Sequence, residues 1–298
     1  MSSTVQKLTK KGLITPPKWL PANTVYETWM GSNAYGVSQD NSDLDVYGFC
    51  MPPKEIVFPH LAGEIMGFGK KTKRFWQYQK HHIKDPSARG GKGQEYDFAI
   101  YNIVKYFDLC MDNNPNMIDS LYTPADCVLH ITSVGQMVRG NRHLFLHKGA
   151  WHRFRGYAYS QLTKLNGKTK ESKRHWMVEE YGYDVKFAYH IVRLVLEAEM
   201  ILTEHTIDMR RHSELLKAIR NGAWTEDELR EWFASKEKGL EKLYEESDLR
   251  YAPDEKAIKQ LLLNCLEHHY GSLGNIVRVP RKVDDLIADI ERVLDNYR

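Results

Sequence analysis

Asp43 and Asp45 stand one leucine apart, shortly after the turn Gly31-Ser32. If Leu44 and Val46 lie in a strand, both carboxylates point to one face of the sheet, with Cβ atoms roughly 6–7 Å apart. Carboxylates held this way suit a divalent cation, and a glycine-serine turn beside them suits phosphate. Together they are the equipment of phosphoryl or nucleotidyl transfer, where positioning and electrostatics carry most of the catalysis. Asp-x-Asp alone means little, because such pairs decorate loops. Its weight here comes from the tyrosine-glycine pair Tyr35-Gly36 after the turn and the apolar residues around the acids. The competing explanation is an acidic turn, Asp40-Asn41-Ser42-Asp43, leading into an ordinary strand.

The elements that must position these groups are legible in outline. Pro16-Pro17 and Pro21 make residues 1–23 an extended or poorly ordered lead-in, with a short helix as the alternative. Strands are expected at 24–30, 44–49 and 94–100, with a short helix at 34–37 and a break at Pro52-Pro53. Helices are expected at 103–111, ended by Asn113-Asn114-Pro115-Asn116, and at 117–122. From Thr132 onward the pattern is helical: 161–176, 183–203, 213–221, a helix running through Leu243, 254–270 and 283–297. Thr225 and Glu228 form a capping box for the fourth of these. The expected class is α+β, a mixed sheet with flanking helices in residues 1–131 followed by a helical domain in 132–298.

Gly31-Ser32 followed by Ser42-Asp43-Leu44-Asp45 resembles the Gly-Ser…Asp-x-Asp signature of the DNA polymerase β-like nucleotidyltransferase superfamily. The resemblance implies that Gly31, Ser32 and Ser42 lie on the triphosphate, that Asp43 and Asp45 bind magnesium, and that a third acid follows on a neighbouring strand. Tyr96-Asp97-Phe98 fits that apolar-acid-apolar requirement and makes Asp97 the favoured ligand. Glu95 shares its face by period and is the alternative. Asp97 could instead merely cap the next helix.

The expected helix at 183–203 is apolar around nearly its whole circumference, except for one line of Lys186, His190, Arg193 and Glu197. That line must face water or a cleft. Over a cleft, Lys186, His190 and Arg193 would contact the triphosphate and stabilise the departing pyrophosphate. Facing water, Arg193 and Glu197 would be an exposed ion pair. Asn114-Pro115, the Tyr183-Asp184-x-Lys186-x3-His190-x2-Arg193 pattern and Leu216-x2-Ile219-Arg220-x-Gly222 resemble one branch of the superfamily. This branch is the predicted nucleotidyltransferase family associated with RNA-repair operons of bacteria and phages. The likeness runs from about residue 25 to about residue 270 and implies magnesium (manganese as the alternative), a nucleoside triphosphate donor and an RNA acceptor. Two rival readings keep parts of this: AMPylation of a protein hydroxyl, as in toxin–antitoxin systems, and a non-catalytic RNA-binding module.

Other features bound the answer. The chain has 298 residues and a formal net charge of +3, which announces no nucleic-acid binder by itself. Basic residues do gather locally, as Lys70, Lys71, Lys73, Arg74, Lys80 and Lys84 among Phe75, Trp76 and Tyr78, continuing to Arg89 and Lys92. Lys164, Lys168, Lys170, Lys173 and Arg174 form a second run. Such mixtures suit a phosphate backbone with stacked bases, or else a solvated loop. The long segment 67–93 does not align with the family pattern, so acceptor choice could differ here. His81-His82 and His268-His269 read as surface or core histidines, with no carboxylates nearby in sequence at ligand spacing. Arg153-Phe154-Arg155-Gly156-Tyr157-Ala158-Tyr159-Ser160 could close over a nucleotide or pack between helices. Four scattered cysteines, no membrane-length apolar run and no secretion signal fit a cytoplasmic protein of a bacterium or phage-infected cell. Oligomeric state is not legible.

Overall fold

The computed structural model describes residues 2–38, 43–62, 64, 74–165, 175–276 and 283–295. Ser42 and the basic residues Lys70, Lys71, Lys73, Lys168, Lys170, Lys173 and Arg174 lie outside them. Five strands, β1 (Thr24–Trp29), β2 (Leu44–Cys50), β3 (Gln77–Asp85), β4 (Gln94–Asn102) and β5 (Val128–Ile131), form one mixed sheet in the order β3-β4-β2-β1-β5. β2 and β4 are parallel, and the other neighbours are antiparallel.

Helices α1 (Thr4–Lys10) and α2 (Leu20–Asn23) precede the sheet, and α3 (Lys54–Val57) follows β2. Next come α4 (Ile103–Met111) and α5 (Pro115–Tyr122) after β4, then α6 (Ser133–Gly140), α7 (Ala150–Leu162) and α8 (His175–Tyr181) after β5. The chain continues through α9 (Val185–Glu204), α10 (Ser213–Arg220), α11 (Glu226–Glu246), α12 (Glu255–Tyr270), α13 (Leu273–Ile276) and α14 (Val283–Asp295). The α+β class read from the sequence is the class observed. Asn114 and Pro115 begin α5 rather than merely stopping α4: the Asn114 side chain accepts from Met117 N, and proline sits at the first helical position. The expected helix at 34–37 is instead a 3-10 turn at Gly31–Asn33.

Two strands were not anticipated. β5 is short and half-buried. β3 lies inside the basic, aromatic segment, and only Ile83 and Asp85 along it are buried. As the sheet's edge strand it faces solvent almost throughout, so its sequence lacks the apolar alternation that marks a strand.

Alternation elsewhere is clean. Val46 and Cys50 of β2 and Phe98 and Ile100 of β4 pack with Val5, Leu8 and Ile14 on one face. On the opposite face Phe49 is buried under Tyr106 of α4, with ring centroids 4.6 Å apart. By period two, Asp45, Tyr47 and Phe49 share that second face, as do Asp97, Ala99 and Tyr101 of β4. Along both strands the face therefore runs from covered and apolar to open and acidic. Toward the carboxylates the helical layer gives way to a cavity lined by Asp45 and by residues of α7 and α9. Its largest core cluster continues from β1 through α9 to α12 without interruption.

α9 is the axis of the helical half. Fifteen of its residues are buried, and Asp184 caps it by accepting from Lys186 N at 3.0 Å. Each large apolar side chain fully buried this way contributes about 1.5–3 kcal/mol.

Candidate active site

The parallel register sets Asp45 directly opposite Asp97. Neighbouring strands lie about 4.8 Å apart, so the two carboxylates share one small volume at the open end of the sheet. Asp43 precedes β2 by one residue and is exposed. Burial, then repulsion from Glu95 and Asp97, raises the Asp43 carboxyl above its ordinary value. Asp45 is more enclosed; burial first, then the Asp97 charge, pushes its carboxyl up to about 6. Lys186 at the start of α9 pulls the other way on both acids. Like charges held together against their own repulsion are what a divalent cation relieves.

Gly31 fits against this cluster closely. Its φ is +63°, and a Cβ built on it would meet Asp45 Oδ2 at 2.4 Å. Only glycine permits both the left-handed backbone and the contact. Met30 N donates to the Asp45 carbonyl at 2.8 Å, locking the turn to the strand. Ser32 is half-buried in the same turn, where its carbonyl accepts from Val37 N at 2.9 Å. The turn is also bolted from the helical side. Tyr35 donates to Asp119 Oδ2 of α5 at 2.5 Å, and Arg220 of α10 donates to the Val37 carbonyl at 2.7 Å.

A cavity of about 140 Å³ opens between the turn and the helices, lined by Gly31, Asp45, Asn116, Tyr157, His190 and Arg193 among others. Two members of the polar line on α9, His190 and Arg193, thus meet the Gly31 turn across a cleft. Arg193 is also committed to the interior. It is buried, donates to the Tyr35 hydroxyl, stacks 4.4 Å from that ring, and lies 3.3 Å from Asp119 Oδ2. Glu197 Oε2 is 3.9 Å from its Nε, and burial followed by the nearby Asp119 charge raises the Glu197 carboxyl well above its usual range. The Arg193–Glu197 pair is therefore internal, not an exposed helix-surface pair.

The histidine pair is exposed, as one of the two expected placements had it, but it has carboxylate neighbours. His81 and His82 occupy a bulge where the β3–β4 register shifts, and His82 has φ +56°. The backbone N–H of His82 donates to Asp97 Oδ1 at 2.7 Å, its Nδ1 lies 2.6 Å from Glu95 Oε1, and His81 Nδ1 lies 3.4 Å from Asp97 Oδ2. The carboxylates absent from their sequence neighbourhood come from the adjacent strand. These contacts also separate the two acids considered for the third ligand. Asp97 faces Asp45, while Glu95 lies one rung away toward Asp43.

The segment 153–160 divides its work. Arg155 pairs with Glu237 and Glu241, and the Tyr159 hydroxyl donates to Glu237, so these hold α7 against α11. Tyr157 instead lines the cavity with Gln161 and with Asn116 of α5. Asn116 and Gln161 were not anticipated; neutral amides carry no sequence signal of such a role.

Among the described residues, no three His, Cys, Asp or Glu side chains already converge as a metal cage. Magnesium rarely asks for one. It keeps several waters and takes one or two carboxylates together with substrate phosphates. The directly opposed Asp45 and Asp97, with Asp43 beside them, form an all-oxygen donor set of that kind.

A family model described as RlaP, RNA repair pathway DNA polymerase beta family, matches residues 9–275. The chain belongs to this family. The match spans the sheet, the acid face, α9 and the helices through α12, so the resemblance drawn from the two motifs extends to the fold. The chain is also similar to an uncharacterized 38.9 kDa protein encoded in the nrdC–mobD intergenic region of Enterobacteria phage T4. The two are 26% identical over 147 residues, which is 49% of this chain and 39% of the phage protein. Among the described residues, no helix is long and apolar enough to cross a membrane.

Proposed function

We propose that this chain is a magnesium-dependent nucleotidyltransferase that moves a nucleoside monophosphate from a nucleoside triphosphate to the hydroxyl of an RNA end, releasing pyrophosphate. The observation that carries the reading is the Asp45–Asp97 rung with Gly31 pressed against it. It joins a cation-binding carboxylate pair to a turn slim enough for phosphate. Membership of an RNA repair pathway family supports RNA as the acceptor.

Asp45, Asp97 and Asp43 would hold the cation, which neutralises phosphate charge and lowers the pKa of the attacking hydroxyl. The residues around it have separate tasks. The Gly31-Ser32 turn offers backbone and hydroxyl donors to the terminal phosphates. His190 lines the facing wall, and Lys186 places positive charge beside the acids where pyrophosphate departs. Arg193 contributes a guanidinium edge to the same cavity while its remaining contacts hold the turn in place. The His82 amide fixes one oxygen of Asp97, and the His81 ring lies beside the other.

The test is pyrophosphate release from each of four nucleoside triphosphates, with magnesium or manganese, against a panel of RNA ends and against cell-lysate protein. Transfer to RNA that disappears in Asp97→Asn supports the reading. Label on protein alone would move the acceptor to a polypeptide. RNA retention without pyrophosphate release, unaffected by Asp45→Asn, would make the chain a binding module.

A further inference from the structure

A second and larger cavity also meets the acids, at Asp43 and Glu95. It measures about 610 Å³, and Lys84, Arg89 and Lys92 line it together with Asp85 and Gln94. We propose that this cavity holds the phosphate backbone of a single-stranded RNA acceptor, with Lys84, Arg89 and Lys92 as its contacts. The inference rests on the nucleotidyl-transfer reading above and locates the acceptor within it.

Three observations converge. The first is placement. In-line displacement puts attacking and leaving oxygens on opposite sides of the transferred phosphorus. The smaller cavity meets the acids at Asp45 and carries the phosphate turn; the larger meets them at Asp43 and Glu95. A donor seated on Gly31 leaves the larger cavity for the hydroxyl that attacks.

The second is charge. Lys84 is paired in register with Glu95, which sets both on the acid-bearing face. Asp85, at the root of the hairpin, is held by Lys11 at 2.6 Å and by the Ser87 hydroxyl at 2.7 Å, so its negative charge is already engaged. Lys84, Arg89 and Lys92 thus bring three positive charges to the cavity lining, as a polyanion requires. Gly90 and Gly91, both at positive φ, have open space where a Cβ would stand, so a backbone can approach the turn closely.

The third lies past Asp97, along the sheet edge beyond this cavity. Along the exposed edge strand, Gln77 Nε2 donates to Gln79 Oε1 at 2.9 Å, and Gln79 Nε2 lies 2.8 Å from His81 Nε2, which leads to Asp97. Trp76, 50% exposed, precedes this row. A polar row ending in an exposed indole offers hydrogen bonds and a stacking surface to nucleotides beyond the reacting end.

The experiment measures binding by the full chain without turnover. A short fluorophore-labelled single-stranded RNA is titrated in EDTA at several salt concentrations, and a fluorescent ATP analogue is titrated separately with magnesium. The triple variant Lys84→Ala, Arg89→Ala, Lys92→Ala is expected to bind RNA at least about tenfold more weakly, with a salt slope shallower by about 2. Analogue affinity and circular dichroism should match the parent. Unchanged RNA affinity and slope overturn the proposal, as does a loss that falls on the nucleotide analogue. A parent chain that binds no RNA yet transfers label to protein also overturns it, while leaving the transferase reading intact. Failure of the parent to bind the analogue strikes the transferase reading itself.

Discussion

At the open end of β2 and β4, Asp43, Asp45 and Asp97 crowd together beside a cavity. Deeper in the helical layer, Asp119 and Glu197 crowd around Arg193. In the first group burial, then repulsion, lifts the Asp43 and Asp45 carboxyls, and Lys186 compensates only in part. In the second the buried guanidinium sits against both carboxyls and a tyrosine ring, with one edge on the small cavity. Similar side chains thus serve opposite ends. The acid face keeps unneutralised charge where a ligand can reach it. The buried cluster uses its charge mainly internally, tying the Gly31 turn through Tyr35 to α5 and α9.

The sharpest way to break that contrast is to remove the buried cation. Arg193→Met leaves Asp119 without its counter-charge in the core and is expected to cost about 3–5 kcal/mol of stability, read by urea denaturation. Adding Asp119→Asn should recover part of that loss. If Arg193→Met folds with parental stability, the cluster does not hold the core and the contrast fails.

On the acid face the signs reverse. Asp97→Asn should lower turnover by more than about a hundredfold, since even residues that only support a metal ligand cost 10–100-fold. Its denaturation midpoint should not fall. Gly31→Ala tests the join between turn and acid. Positive φ and the contact with Asp45 Oδ2 together should cost roughly 2–3 kcal/mol and displace the carboxylate, seen as lost activity and a lower melting temperature. Parental melting and turnover in that variant would detach the turn from the site.

The smallest effect is in pH. Asp45 ionises at about 6 in the folded chain, against about 4 when unfolded. A carboxyl raised by folding stabilises the native state below its unfolded pKa, and that stabilisation disappears as pH climbs through the folded value. Metal-free protein should therefore lose about 1–2 kcal/mol from this group between pH 4 and pH 7. Asp45→Asn should remove that part of the slope and melt higher than the parent at pH 7.5. A slope identical in parent and variant would show that Asp45 is not the group responsible.

Legibility differed by element for physical reasons. The helix 103–111, the capping box at Thr225 and the long apolar α9 follow from local periodicity and capping chemistry, which act within a few residues. β3 left no such trace, because an edge strand open to water on nearly all its length needs no apolar alternation. His81 and His82 looked unremarkable for a related reason: their carboxylate partners lie across a strand pair. Arg193 was legible as part of a polar line, but whether that line met water, cleft or core was not.

By itself the sequence determined the spacing of Asp43 and Asp45, their shared face, the slim turn before them and the apolar girth of α9, since each is a consequence of backbone repeat. Tertiary structure alone decided that β4 lies parallel to β2 in the register that opposes Asp97 to Asp45. It also decided that Tyr35 and Asp119 enclose Arg193. Such pairings are chosen by the packing of whole layers, and side-chain order along one segment carries no information about which distant segment will lie beside it.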